Sequence, residues 1–146
     1  MRTIQFRGKV KKTRAEISIG KKPDDGTWVI GDLHYYNTGV PHIHYDLAHR
    51  ISVDVETIGQ YTGMYDINGK QIWEGDIIEA TCLKPNQDLG KKMRGYVFYD
   101  EVVAAFSLMT LDGKHGGTLH SNSNDAALEV TGNIHDNPEL LKQNKQ

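Results

Sequence analysis

Residues 58–80 read IGQYTGMYDINGKQIWEGDIIEA, the densest run of strand and turn chemistry in the chain. Tyr61, Gly63 and Tyr65 lead into Asp66-Ile67-Asn68-Gly69, and Lys70, Gln71, Ile72 and Trp73 follow. Asn-Gly between apolar or aromatic runs signals a β-hairpin, because both residues tolerate the positive φ that a tight primed turn requires. Glu74-Gly75-Asp76 makes a second turn, and Ile77-Ile78-Glu79-Ala80 starts a new strand. The stretch holds no nucleophile–base pair, phosphate loop or metal motif. It is scaffold.

Working outward, short strands alternate with turn residues along the whole chain. Ile4, Phe6 and Gly8 alternate with Gln5 and Arg7, and Ala15–Ile19 is expected to form a strand of its own, closed by the turn Lys21–Gly26. Thr27–Tyr36 is rich in aromatic and β-branched residues, with His42–Asp46 as its returning partner and Ile51–Val55 as the next strand. Glu56–Gln60 suits one helical turn. Beyond the hairpin, Ile77–Leu83, Gly95–Tyr99, Val102–Met109, Thr118–His120 and Leu128–Ile134 are expected as strands, with a polar loop at 86–92 and tight turns at Asp100-Glu101 and Asp112–Lys114. Asp136 or Asn137 can cap a short final helix that has Pro138 in its first turn. The second half therefore resembles a small SH3-like barrel over residues 70–135. The expected organisation is one mainly β domain, residues 1–146. An N-terminal antiparallel sheet region (1–69) packs on that barrel, and a C-terminal helix and tail (136–146) follow.

Composition agrees with a globular chain. It has 146 residues, 38% of them apolar and 25% charged, and no apolar run approaches the ~20 residues of a membrane helix. Met1–Arg7 contains no apolar signal-peptide core. Cys82 is the single cysteine, so no intrachain disulfide can form, which suits a reducing compartment. Net charge is −2 but uneven: residues 1–22 carry +7 and residues 23–60 carry −5. Such asymmetry marks either a nucleic-acid arm or complementary faces that meet within the fold or between subunits.

Four histidines, His34, His42, His44 and His49, lie within sixteen residues. On a strand His42 and His44 share a face, and Asp46 would continue it as a third metal ligand. No Cys pair or His-Glu-x-x-His helix supports a metal, and polar residues on a solvated or subunit-facing sheet are the plainer reading. Asp66-Ile67-Asn68-Gly69 echoes a calcium loop, but the twelfth position is Ile77 rather than a bidentate Glu. Glu74 and Asp76 flank a turn glycine and read as turn chemistry rather than a catalytic pair. Ser107, Ser121 and Ser123 have His115 and His120 nearby in sequence but no Gly-x-Ser-x-Gly elbow. Gly113-Lys114-His115-Gly116-Gly117 lacks the strand–loop–helix context of a phosphate cradle. Basic residues Lys9, Lys11, Lys12 and Arg14, with a second patch at Lys91, Lys92 and Arg94, are the nucleic-acid candidates, and Tyr96 and Phe98 could stack bases. A sequence pI near 6.4 is low for a dedicated nucleic-acid domain.

Three segments, in order, carry a resemblance. Phe6-Arg7-Gly8-Lys9 with Trp28–Leu33, then Gln60–Gly63 with Asn68–Lys70 and Glu74–Ile77, then Glu129–Leu141, are similar to the YopX family of small proteins encoded by bacteriophages and prophages. The resemblance implies a phage or prophage accessory protein acting in the cytoplasm of a bacterial host. It supplies no catalytic residue to carry over. The expectation is a non-enzymatic, homo-oligomeric interaction or assembly module without metal or cofactor, binding an unknown phage or host protein and no membrane. The alternative is a nucleic-acid-binding accessory protein that uses the basic N-terminal region.

Overall fold

A computed structural model describes residues 2–119 and 125–142. Among them the chain is mainly β, with eleven strands in two antiparallel sheets. It divides into two compact units, residues 1–61 and 62–146. His120, Ser121 and Ser123, positions 121–124 of the loop expected at 121–125, and the last four residues of the tail lie outside the described residues.

The first unit is a meander. Strands β1 (Phe6–Lys9), β2 (Trp28–Tyr35), β3 (Pro41–His44) and β4 (Arg50–Ser52) lie in the order β4-β3-β2-β1, with the start of β5 (Gly59–Tyr65) on the far side of β1. Alternation puts Val29, Leu33, Ile43 and Ile51 on one face, where they pack with Val10 and Val53 into the unit's core. An isolated bridge from Val10 to Val53 draws the end of β1 toward the end of β4.

The segment between β1 and β2 departs from expectation. Ala15–Ile19 is not a strand: Arg14–Ser18 forms a short helix, α1. The cause is the Thr13-x-x-Glu16 pattern, a reciprocal capping box in which Glu16 N–H donates to the Thr13 hydroxyl and Thr13 N–H donates to the Glu16 carboxylate. Three apolar residues spaced by two satisfied the strand pattern, but Ile17 and Ile19 are exposed and the buried residue is Glu16. The expected turn at Glu56–Gln60 is a 3-10 turn over Val55–Thr57.

In the second unit the hairpin forms between β5 and β6 (Gln71–Trp73). Its turn is not primed. Gly69 alone has a left-handed φ, +77°, while Asn68 does not. Gly69 N–H donates to Asp66 O at 3.0 Å and Asp66 N–H to Lys70 O at 2.7 Å, the pattern of a type I turn with a glycine bulge. The selecting group is the Asp66 carboxylate, whose Oδ1 accepts from the amides of Asn68 and Lys70, both at 2.9 Å. That bonding suits a right-handed Asn68.

Strands β7 (Asp76–Cys82), β8 (Lys92–Asp100), β9 (Ala105–Thr110), β10 (His115–Thr118) and β11 (Ala126–Asn133) form a five-stranded sheet in the order β10-β9-β8-β7-β11. Ile78, Ala80, Val97, Phe106 and Leu108 make its core together with Ile72. The sheet does not close into the barrel expected over residues 70–135. β10 and β11 are its two edges, each hydrogen-bonded to one neighbour in the sheet. Val102 and Val103 are not strand residues: the Asp100 carboxylate accepts from Val102 N–H, Ala104 takes φ +53°, and Val102 is 93% exposed. β10 starts at His115, three residues before the expected position. The C-terminal helix is a single 3-10 turn, Pro138–Leu141, and Asn137 makes no side-chain cap to it. Its Oδ1 turns back to accept from Asn133 N–H at 3.2 Å, over Gly132, where a Cβ would stand 2.6 Å from that oxygen.

Candidate interaction face

The face of the first sheet opposite its core collects ring-bearing and charged side chains. Antiparallel register sets them in two cross-strand rows. Asp32 on β2 is opposite His44 on β3, which is opposite Arg50 on β4; His34 is opposite His42, which is opposite Ser52. Tyr36 extends the β2 series just past the strand's end. The rings touch one another: His34 and His44 have centroids 4.6 Å apart, and Tyr36 meets His42 edge-on at 4.9 Å. The Arg50 guanidinium lies 4.2 Å from the Tyr36 ring centre, a cation–π contact. The Tyr36 hydroxyl and His44 Nε2 are 2.7 Å apart, and His42 Nδ1 is 3.1 Å from Val40 O. Each ring is thus held by a neighbour.

Electrostatics keep the centre of this face uncharged. Partial burial, then the charges of His34 and Arg50, hold the His44 imidazole below the ordinary histidine value, although Asp32 pulls the other way. At neutral pH the first row therefore reads negative, neutral, positive. At Ser52 the face is covered by α1: the Ser52 hydroxyl lies between Lys11 O, 2.7 Å away, and Glu16 Oε1, and Ser52 N–H donates to Glu16 Oε2 at 3.2 Å. Toward β1 the same face carries Arg7 and Lys9 over the Trp28 ring, at 4.7 and 5.5 Å.

The structure brings together part of the histidine set. His34, His42 and His44 share the face, whereas Asp46 lies in the turn after β3. There its Oδ1 accepts from the amides of Ala48 and His49 and meets His49 Nδ1, all at 2.8 Å. The Ala48 amide, then the His49 ring, hold this carboxyl below the ordinary aspartate value. Among the described residues no set of three or more His, Cys, Asp or Glu side chains is placed to hold a metal ion. Ser107 is fully buried on β9, and His115 is spoken for: its Nδ1 accepts from Gly117 N–H at 3.2 Å and its Nε2 is 2.9 Å from Asp100 Oδ2.

The basic candidates fall into different units. Lys9, Lys11, Lys12 and Arg14 belong to the first, and Lys91, Lys92 and Arg94 to the second. Several are already matched by acids. Lys12 Nζ donates to Lys21 O at 3.0 Å and stands 3.9 Å from Asp24. Lys91 pairs with Asp88, and Lys92 and Arg94 converge on Glu79 at 3.1 and 3.7 Å. Lys11 and Arg14 are exposed. Sequence reading named the histidines but missed Asp32, Tyr36 and Arg50. The period-two spacing of 32, 34 and 36 was a usable signal for the first two; Arg50 joins them only through the β3–β4 register.

A comparison with curated proteins gives no match. The family model for YopX protein matches residues 6–142, from the first residue of β1 to the end of the described chain. That match takes in every strand of both units, and the chain belongs to the YopX family.

Proposed function

We propose that this protein is a non-enzymatic, homo-oligomeric interaction module, and that two copies meet through the face of Asp32, His34, Tyr36, His42, His44 and Arg50. The carrying observation is the row Asp32–His44–Arg50. A two-fold interface must be complementary to itself, and a row with opposite charges at its ends and a neutral centre meets that condition when a second copy is rotated upon it. Arg50 then faces the partner's Asp32. Stacked Tyr and Arg side chains are also the residue types that concentrate binding energy in interfaces. Mutual ring contacts reduce the side-chain entropy lost on association. Membership of the YopX family supports a phage or prophage accessory role in the cytoplasm of a bacterial host. In the second unit, the return of β11 beside β7 after the β7-β8-β9-β10 meander supports an SH3-like arrangement, a common scaffold for such modules.

Charge reversal tests this directly by light scattering coupled to size exclusion. Arg50→Asp and Asp32→Arg should each weaken association at least ~10-fold, because each places like charges opposite one another. The double reversal Asp32→Arg/Arg50→Asp should restore it. A wild-type protein that stays monomeric at tens of micromolar, or a double variant no better than the singles, would refute the interface. The competing nucleic-acid reading has the exposed Lys11 and Arg14 in its favour. It requires that labelled DNA or RNA bind in a strongly salt-dependent way and that Lys11→Glu/Arg14→Glu remove the signal.

A further inference from the structure

Among the described residues four strands have a single sheet neighbour, β4, β6, β10 and β11, and an unsatisfied edge invites another strand. In each, at least one amide donates to a side chain. Ser52 N–H on β4 meets Glu16, and Trp73 N–H on β6 meets Asp76 Oδ2 at 2.8 Å. Gly117 N–H on β10 meets His115, and Val130 N–H on β11 meets Asp66 Oδ2 at 3.0 Å. The four edges are not equivalent. β4 and β6 have three residues each and β10 has four with a register shift, too short to template a partner well. β11 has eight. Its stopper comes from a separate element, the tip of the β5–β6 hairpin, and Ile67 N–H of the same tip donates to Leu128 O at 3.0 Å. The tip thus occupies one donor and one acceptor, in the manner of a strand only two residues long.

We infer that β11 is a latent strand-addition site, closed in cis by the Asp66–Ile67 tip, and that a second copy's β11 is the strand it takes when the tip lifts. An antiparallel edge can pair with itself about a two-fold axis, so one exposed β11 supplies both halves of the contact. Leu128 and Val130 already pack on the core side, so pairing of this strand leaves their burial unchanged. The association surface is distinct from the face of the first unit, and it stays shut while the Asp66 carboxylate holds Val130 N–H.

The experiment uses the full chain in the Arg50→Asp background, which removes the other proposed contact. Asp66→Ala should produce a concentration-dependent dimer while keeping the far-ultraviolet circular dichroism of its parent, and the Val130 amide of its monomer should exchange with deuterium at least tenfold faster. Adding Val130→Pro removes the outward N–H at a position where proline suits an edge strand, and should return the protein to monomer. A monomeric Asp66→Ala variant would overturn the inference. So would association that persists in Asp66→Ala/Val130→Pro, which would mark general unfolding rather than an opened edge.

Discussion

Gly31→Ala is expected to cost more than about 3 kcal/mol and to unfold much of the first unit. Gly31 sits on β2 opposite Phe6, on the core face between Val29 and Leu33. A Cβ built there would lie 1.8 Å from His44 O and 2.7 Å from His44 C. The obstacle is backbone of the paired strand β3, not the end of a flexible side chain, so relief demands that β2 and β3 separate. Their separation would break the register that sets Asp32 opposite His44, and with it the interaction face. Gly39→Ala is the matched control. That glycine has φ +77° in the β2–β3 turn with open space around it, and alanine there costs about 1 kcal/mol of backbone strain. Urea unfolding followed by circular dichroism distinguishes them. Equal midpoints for the two variants would contradict the steric account.

Glu16→Ala is expected to cost about 3 kcal/mol at pH 7, and the difference from wild type should shrink as the solution is acidified to pH 3. Glu16 is 7% exposed and its carboxylate serves Thr13 N–H at 3.0 Å, Ser52 N–H at 3.2 Å and both hydroxyls, with Lys21 Nζ at 4.0 Å. Burial pushes this carboxyl up, but the Ser52 hydroxyl and amide and the Thr13 amide and hydroxyl outweigh it and hold it below the ordinary glutamate value. The sign follows. The folded state binds a proton less readily than the unfolded chain, so the contribution is full above the ordinary carboxylate range, near pH 4–5. It is lost as pH falls through the lower folded value. Asp66 behaves alike: burial raises it, while the amides of Val130, Lys70 and Asn68 and the Lys70 charge lower it further. Both stoppers therefore weaken in acid. Unfolding free energies of wild type and Glu16→Ala at pH 7, 5 and 3 check this, and a gap that stays constant across the series would contradict it.

Much of the architecture was legible because strands announce themselves locally. Alternation in Thr27–Tyr36 and Leu128–Ile134, and glycines at Gly69 and Gly75, placed β2, β11 and the two central turns to within a few residues. What misled were groups whose role depends on a distant partner. The apolar spacing of Ala15–Ile19 counted as strand, but Glu16 acts through Ser52, thirty-six residues away. Asn68-Gly69 matched a primed turn, but the Asp66 carboxylate, bonded also to Val130 sixty-four residues on, selected another. The pairing of Lys92 and Arg94 with Glu79 likewise rests on the β7–β8 register, which no local run of sequence shows.

The candidate site divides the same way. By itself the sequence determined that His42 and His44 share a face, because side-chain alternation along a strand is a property of the backbone. It determined the mainly β class and the family for a similar reason, through short-range pattern in a fixed order. Only the tertiary structure decided that Asp32 and Arg50 flank His44 and that Asp46 does not join them. It alone decided that the five-stranded sheet stays open, with one edge stoppered by a hairpin tip. Register between strands and closure of a sheet are set by pairings across long loops, and no local run of residues encodes them.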